Sequence, residues 1–438
     1  MSKRMMSIGA SIRGLGYNAS AWRHPDVDPT VQESIYFYAE AAKKAEAAKL
    51  DFVFLADNLA ATSMEDRPKG ALGRGHDNIT LEPLTAMAAI AVLTNRIGLV
   101  ATCSTSYQQP YHVARQYASL DHISGGRAAW NVVPSYRQTE GANFGLAAPL
   151  SHSERYERAE EFVTVVQGLW DSWDPDAFLY DKKSGVFFDP AKVRALHHRG
   201  KFFQVEGPLT AARSPQGRPA IFQAGESGAG VELAAKFADA VYTVPLEKSA
   251  SIQQRQLIRQ TAAKHGRSED AVKVIPGIQP IVAATRKKVE EKLELLRSIA
   301  DPVKEMGRLI IQFKDISKFD LDEILPESFV ESCVTSSARP LAEKAVASKW
   351  NVRRLCQEMA IGQQRIVAGT PEEIASDLAD WFDSGACDGF NVSPSHMPGG
   401  LFEFLDQVVP ILQDRGSFRA EYAGRTLREH LGVARNLS

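Results

Sequence analysis

Ile97-Gly98-Leu99-Val100-Ala101-Thr102-Cys103-Ser104 is followed, after a short linker, by Pro110 to Ser124 and then by Gly125-Gly126-Arg127-Ala128-Ala129-Trp130-Asn131-Val132-Val133. The first run is apolar and ends in small hydroxyl residues, the pattern of a strand buried on both faces whose last residues open into a site. Pro110 suits the first turn of a helix, where its missing N–H costs nothing. Val113, Tyr117 and Leu120 recur at three to four residue spacing and give that helix one apolar face. Gly125-Gly126 ends it, and Arg127 to Val133 reads as the next strand. Strand, crossover helix and parallel strand in about 35 residues is the repeat unit of an α/β protein.

Working outward, the same alternation recurs. Ile8 to Ile12 reads as the first strand, and a Gly/Asn-rich loop follows through Tyr17, His24 and Pro25. Gln32 to Lys49 reads as a helix, and Asp51 to Asp57 as a buried strand ending in a carboxylate. Residues 58 to 79 form a polar loop, and Leu81 to Leu93 a helix. Beyond the central unit, Ser151 and Glu154 have capping-box spacing for a helix to about Trp170. Residues 171–217 lack periodicity and read as an insertion with a small hairpin. Pro219 to Ala224 is a strand, Gly225 to Gly230 a turn into a helix, and Ala240 to Val244 and Val272 to Val282 are further strands. Arg286 to Gly307 reads as one charged helix inside a second insertion, about 284–368. Thr370-Pro371-Glu372-Glu373 starts a helix, Asp388 to Val392 is the last strand, and Leu401 to Leu412 the last helix. Eight strands alternating with eight helices predict a (β/α)8 TIM barrel, one domain over residues 1–438 with insertions after strands 4 and 7. An open doubly wound sheet is the alternative, disfavoured because no G-x-G-x-x-G follows any strand.

The formal net charge of −2 over 438 residues, with no basic block, gives no support to a nucleic-acid partner. No apolar run reaches membrane-span length and no secretory signal opens the chain, so a cytoplasmic protein without a membrane partner is expected. Cys103, Cys333, Cys356 and Cys387 are scattered without C-x-x-C spacing, and His197-His198 has no carboxylate at ligand spacing. Neither a disulfide framework nor a metal site is expected. There is no G-x-S-x-G elbow and no His-Glu-x-x-His pair.

In a barrel, residues just past the strand ends face one mouth. Asp57, Thr102, Ser104, Asn131 and Ser227 occupy such positions. Each also has a plain structural reading, as a turn cap, a hydroxyl serving backbone, or an N-cap. Jointly they form a polar ring at an apolar mouth, suited to a flat heterocycle. His152 and Tyr156 share one face of a helix start, and Gly225 to Gly228 lead into another, so the two helix starts form a candidate phosphate socket. Ordinary helix capping is the alternative.

The ordered motifs Leu50 to Asp57, Glu82-Pro83-Leu84-Thr85, Ser119 to Val133, Arg155-Tyr156 with Glu160-Glu161-Phe162, and Gln223-Ala224-Gly225-Glu226-Ser227 resemble the bacterial luciferase-like flavin monooxygenases. The similarity is to the nitrilotriacetate, dibenzothiophene-sulfone and pristinamycin IIA synthase branch, and it extends through Thr426 to Gly432. The resemblance implies a two-component enzyme. An NAD(P)H:flavin reductase supplies reduced FMN, which reacts with O2 and delivers one oxygen, through a C4a-peroxyflavin, to a small organic substrate. It implies that Asp57, Thr102 or Ser104, Asn131, His152, Tyr156 and Ser227 hold FMN, with Tyr156 and Ser227 nearest the phosphate, and that the chain is a homodimer or homotetramer. It also implies a cis peptide at or near Ala101-Thr102. Tyr17, His24, Arg74 and His76 are candidate substrate contacts, and no single catalytic base stands out. The family's Asn-Val-Val-Thr-Ser reads Asn131-Val132-Val133-Pro134-Ser135 here, so a carboxylate or sulfonate substrate does not follow from the resemblance. Two alternatives on the same scaffold are an enzyme of flavin or deazaflavin hydride transfer or of flavin breakdown, and a non-enzymatic flavin carrier.

Overall fold

The computed structural model describes residues 4–61, 67–148, 150–334, 338–362 and 364–433. Eight parallel strands close on themselves: β1 (Ser7–Ser11), β2 (Phe52–Leu55), β3 (Gly98–Ser104), β4 (Ala128–Val133), β5 (Ala220–Gln223), β6 (Ala240–Thr243), β7 (Lys273–Val282) and β8 (Gly389–Val392). Each pairs with its neighbour in chain order, and β8 returns to β1 with Ser7 opposite Gly389 and Ala10 opposite Val392. The expected TIM barrel is therefore the fold.

Alternation along the strands makes two cores. Phe52, Phe54, Val100, Ala129, Phe222 and Ile275 fill the barrel interior. Val53, Leu55, Leu99, Ala101, Trp130, Val132 and Ile221 face outward under the helices. The covering helices include α1 (Ile35–Ala47), α2 (Pro83–Ala91), α3 (Pro110–Ser124), α4 (His152–Trp170), α5 (Gly228–Phe237), α6 (Lys248–Lys264) and α7 (Pro371–Asp383). Their starts follow local chemistry. Ser151 and Thr370 complete capping boxes with Glu154 and Glu373, and Ser227 caps α5 by accepting from Gly230 N. Gly125, in the left-handed region at φ 69°, ends α3. Arg127 then spends its guanidinium on four carbonyl and hydroxyl oxygens at 2.8–3.0 Å from Ala91, Thr94 and Ile97, which locks β3 against β4 at the end of the barrel away from the mouth.

Four local expectations are corrected. Arg286 to Gly307 is two helices, Arg286–Ser298 and Pro302–Gln312, because Asp301 caps Val303 N and Lys304 N and Pro302 starts a new first turn. Arg365–Gly369 is a ninth strand, unforeseen, which extends the sheet along the far half of β7. The helix Gly399 to Asp414 carries a π turn over Phe404–Val408, and it is not the last, since Leu427–Leu431 forms a further short helix. The peptide Ala101-Thr102 is not cis; among the described residues the cis bonds are Arg67-Pro68, Gly207-Pro208 and Met397-Pro398.

The segment 171–217 contains the hairpin Phe178–Asp181 with Val186–Phe188. The segment after β7 builds its own apolar cluster from Leu309, Phe313, Phe329, Ala342, Leu355 and Met359. In the loop 58–79, residues 62–66 lie outside the described residues, as do 335–337 and 363 of the second insertion. Among the described residues no helix is long and apolar enough to cross a membrane.

Candidate active site

The mouth of the barrel is polar because the inward positions change character at the last turn of each strand. On β3 the inward residues run Val100, Thr102, Ser104, and on β4 Ala129, Asn131, Val133. Thr102 stands opposite Asn131 in the ladder. Thr102 Oγ1 donates to Leu55 O at 2.9 Å and accepts from Asn131 Nδ2 at 2.9 Å. Both amide N–H and hydroxyl are thus oriented, which leaves Asn131 Oδ1 buried without a partner among the described residues. Asn391 repeats the arrangement across the barrel: Nδ2 donates to Ser11 Oγ at 2.8 Å and Oδ1 is left over. Gln279 Oε1 on β7 is a third such acceptor. Buried acceptors without donors are rare in folded proteins, and three at one mouth point to a ligand that donates.

Beside Thr102, a cavity of ≈ 130 Å³ is lined by Asp57, Asn58, Ser104, Ser135, Arg137 and Glu140 among others. Ser104 Oγ and Ser135 Oγ lie 2.8 Å apart, and Ser104 Oγ also accepts from Ser106 N. Burial pushes the Asp57 carboxyl up to about 6, with the nearby Glu82 and Glu140 charges adding to the effect and the Asn58 N–H at 2.9 Å opposing it. Cys103 faces outward between these residues, and burial pushes its thiol up to about 12, which leaves it no nucleophilic role.

A second group sits where α4 and α5 begin. The His152 and Tyr156 ring centroids are 4.9 Å apart, and Ser227 Oγ is 3.4 Å from Tyr156 OH. Gly225 completes the group. A Cβ there would lie 2.5 Å from Gln223 Nε2, 2.9 Å from Gly230 Cα and 3.1 Å from Tyr156 OH, so only glycine lets the turn close against the helix start. The two groups adjoin. Asn131 is paired with Phe222 and Val132 with Gln223 in the ladder, Gln223 Oε1 accepts from Gly225 N at 2.7 Å, and Arg155 reaches Pro134 O at 3.1 Å. Asp57, Thr102, Ser104, Asn131, Tyr156, His152 and Ser227 therefore share one end of the barrel. Ser135, Gln223 and Arg155 act within the same arrangement although none of them was a candidate site residue, and Gly225 belongs to the turn expected to border the phosphate. Ser135 carried a readable signal, since it stands two residues past a strand end.

The remaining candidates spread around the rim. Tyr17 lies on the loop after β1, its N–H bonded to Pro394 O at 2.9 Å. His24 is buried and stacks on His396, centroids 3.9 Å apart. His76 Nε2 lies 3.1 Å from Asn18 O, and burial holds its imidazole below the usual range. Arg74 turns outward to Asp301 at 2.8 Å.

Comparisons with known proteins bear on the family and the fold. The family model of luciferase-like monooxygenases matches residues 17–387. The chain is 42% identical to N-acetyl-S-(2-succino)cysteine monooxygenase of Bacillus subtilis (strain 168), over 98% of this chain and 97% of that one. It is 40% identical to nitrilotriacetate monooxygenase component A of Aminobacter aminovorans, over 99% and 98%. Among solved structures, a riboflavin lyase determined with modified FMN and riboflavin superposes with a TM-score of 0.85 at 31% identity, over 98% of this chain and 96% of that one.

Proposed function

The chain belongs to the luciferase-like monooxygenase family, and from that premise we propose that it is the oxygenase of a two-component system, using reduced FMN made by a separate NAD(P)H:flavin reductase. Residues 1–438 act as one barrel domain, with the loop 58–79 and the insertion 284–368 walling the mouth; the insertion 171–217 follows α4 and packs at the opposite end, where Gln216 bonds Asp121 and Ala128 O. Bound reduced FMN supplies two electrons to O2, so that one oxygen enters a small organic substrate and the other leaves as water.

The observation that carries the reading is the run of unpartnered acceptors beside a glycine-shaped helix start. Asn131 Oδ1 and Asn391 Oδ1 are buried with no donor among the described residues, and they suit a ring bearing N–H groups. Tyr156 OH, Ser227 Oγ and the first N–H groups of α5 suit a phosphate, with His152 beside them. Thr102 holds the Asn131 amide in place, and Ser104 with Ser135 borders the same cavity. Asp57, raised to about 6, is the group at the mouth able to hold a proton near neutral pH. The apolar interior of Phe54, Val100 and Phe222 closes the floor and keeps water from below.

The test is turnover with FMN, NADH, a flavin reductase and 18O2. The reading requires one labelled atom per product and loss of turnover without oxygen; equal product under strict anaerobiosis refutes it. The likeness to the riboflavin lyase supports one other reading, flavin breakdown on the same barrel. That reading requires flavin to be consumed when no other organic substrate is added.

A further inference from the structure

Gly9 and Ser11 of β1 face the barrel interior: a Cβ on Gly9 would strike the Phe52 ring, and Ser11 Oγ meets Asn391 Nδ2. Ile12 N still bonds Phe54 O at 3.0 Å, so the strand's alternation continues one residue past its end and aims Arg13 inward, at the mouth. Arg13 is half-buried, its guanidinium carbon 5.7 Å from the Tyr17 ring centroid. Among the described residues it donates no hydrogen bond and pairs with no carboxylate. Its charge helps hold the Asp77 carboxylate below the usual range, and Asp77 takes its hydrogen bond from another cation. Asp77 is held by Lys304 Nζ at 2.7 Å, Glu305 by Arg308 at 2.7 Å, and Asp301 by Arg74 at 2.8 Å. Arg13 also adjoins the loop that carries Asp57. Asn58 Nδ2 reaches Asp77 O at 3.4 Å, and His76 beside it bonds Asn18 O on the loop of Arg13.

A guanidinium drawn partly out of water with its donors unspent is costly alone and binds a planar anion strongly, since carboxylate geometry matches its fork. We propose that Arg13, stacked on Tyr17, binds a carboxylate of the organic substrate, so that the site takes carboxylic acids in preference to neutral molecules. The inference rests on the reading that this mouth admits the substrate, and it adds a substrate class and a residue to it.

Calorimetry on the purified chain, without reductase or oxygen, separates the two. The probes are N-acetyl-S-(2-succino)cysteine, nitrilotriacetate and their methyl esters. At least one acid is expected to bind about 10- to 100-fold more tightly than its ester, the span of a hydrogen-bonded charge pair. Arg13→Gln is expected to bring that acid down to the ester's affinity, and Arg13→Lys to restore part of the difference. Equal binding of acid and ester, failure of both acids to bind, or full acid affinity in a folded Arg13→Gln variant overturns the proposal. The acid-to-ester ratio needs no variant, so a variant that fails to fold does not shield it. A chain that binds acids by Arg13 yet consumes no oxygen with them contradicts the monooxygenase reading and leaves this one standing.

Discussion

Asp57 is the residue whose ionisation the fold works against. Burial raises its carboxyl to about 6 from an unfolded value near 3.8, so its contribution to stability is fully present below pH 3.8 and is lost as pH rises through 6. Asp57→Asn is then expected to be more stable than the parent above pH 7, by on the order of 1–2 kcal/mol after allowing for partial exposure. The difference should vanish near pH 4. Thermal unfolding of both proteins across that range checks it, and a gap independent of pH contradicts it. Ser227→Ala removes the cap of α5, at a cost of about 0.5–2 kcal/mol, and is expected to weaken FMN binding as well. Denaturant midpoints and an FMN titration read the two effects separately. Polar residues that end apolar runs, such as Asp57, Thr102 and Asn131, were legible from sequence because strand ends in a barrel share one face. Arg13 and Gln223 were not, since Arg13 is defined by the strand end that aims it inward and Gln223 by the turn it closes on Gly225.

Elements were legible where caps, prolines and apolar periodicity agreed. Ser151 with Glu154, and Thr370-Pro371 with Glu373, marked helix starts that the structure places at His152 and Pro371. The same signal, Asp301-Pro302, was overlooked within Arg286 to Gly307 because the charged pattern runs straight through it. The strand Arg365–Gly369 was hidden because its only pairing is to β7, more than 80 residues earlier. The turn from β5 into α5 carries the sharpest prediction at this scale. Gly225→Ala places a methyl 2.9 Å from Gly230 Cα, a backbone atom that cannot step aside. A loss of about 1–3 kcal/mol is expected together with weaker FMN binding. Calorimetric unfolding and flavin fluorescence check it; an alanine variant with unchanged flavin affinity argues that this turn does not serve the phosphate.

At the level of the whole molecule, closure of β8 on β1 is what gathers residues from positions 11 to 391 into one mouth. Closure itself was legible only from the count of strand and helix repeats. The second insertion is fastened over the mouth by buried Lys304, whose ammonium meets Asp77 at 2.7 Å, and by Arg23 bonded to Ile299 O at 2.7 Å. Lys304→Met removes the hydrogen-bonded partner of Asp77, leaves it the Arg13 charge, and is expected to cost on the order of 2 kcal/mol, less than a fully buried pair because Asp77 keeps some water. Hydrogen exchange should then rise in Pro302–Gln312 ahead of the barrel strands. The account as a whole depends on a flavin seated at this mouth. The most direct measurement is a crystal structure of the chain with FMN. The account predicts the phosphate at Tyr156 and Ser227 and the ring against Asn131; flavin bound elsewhere on the barrel, with Asn131 Oδ1 still unpartnered, would contradict it.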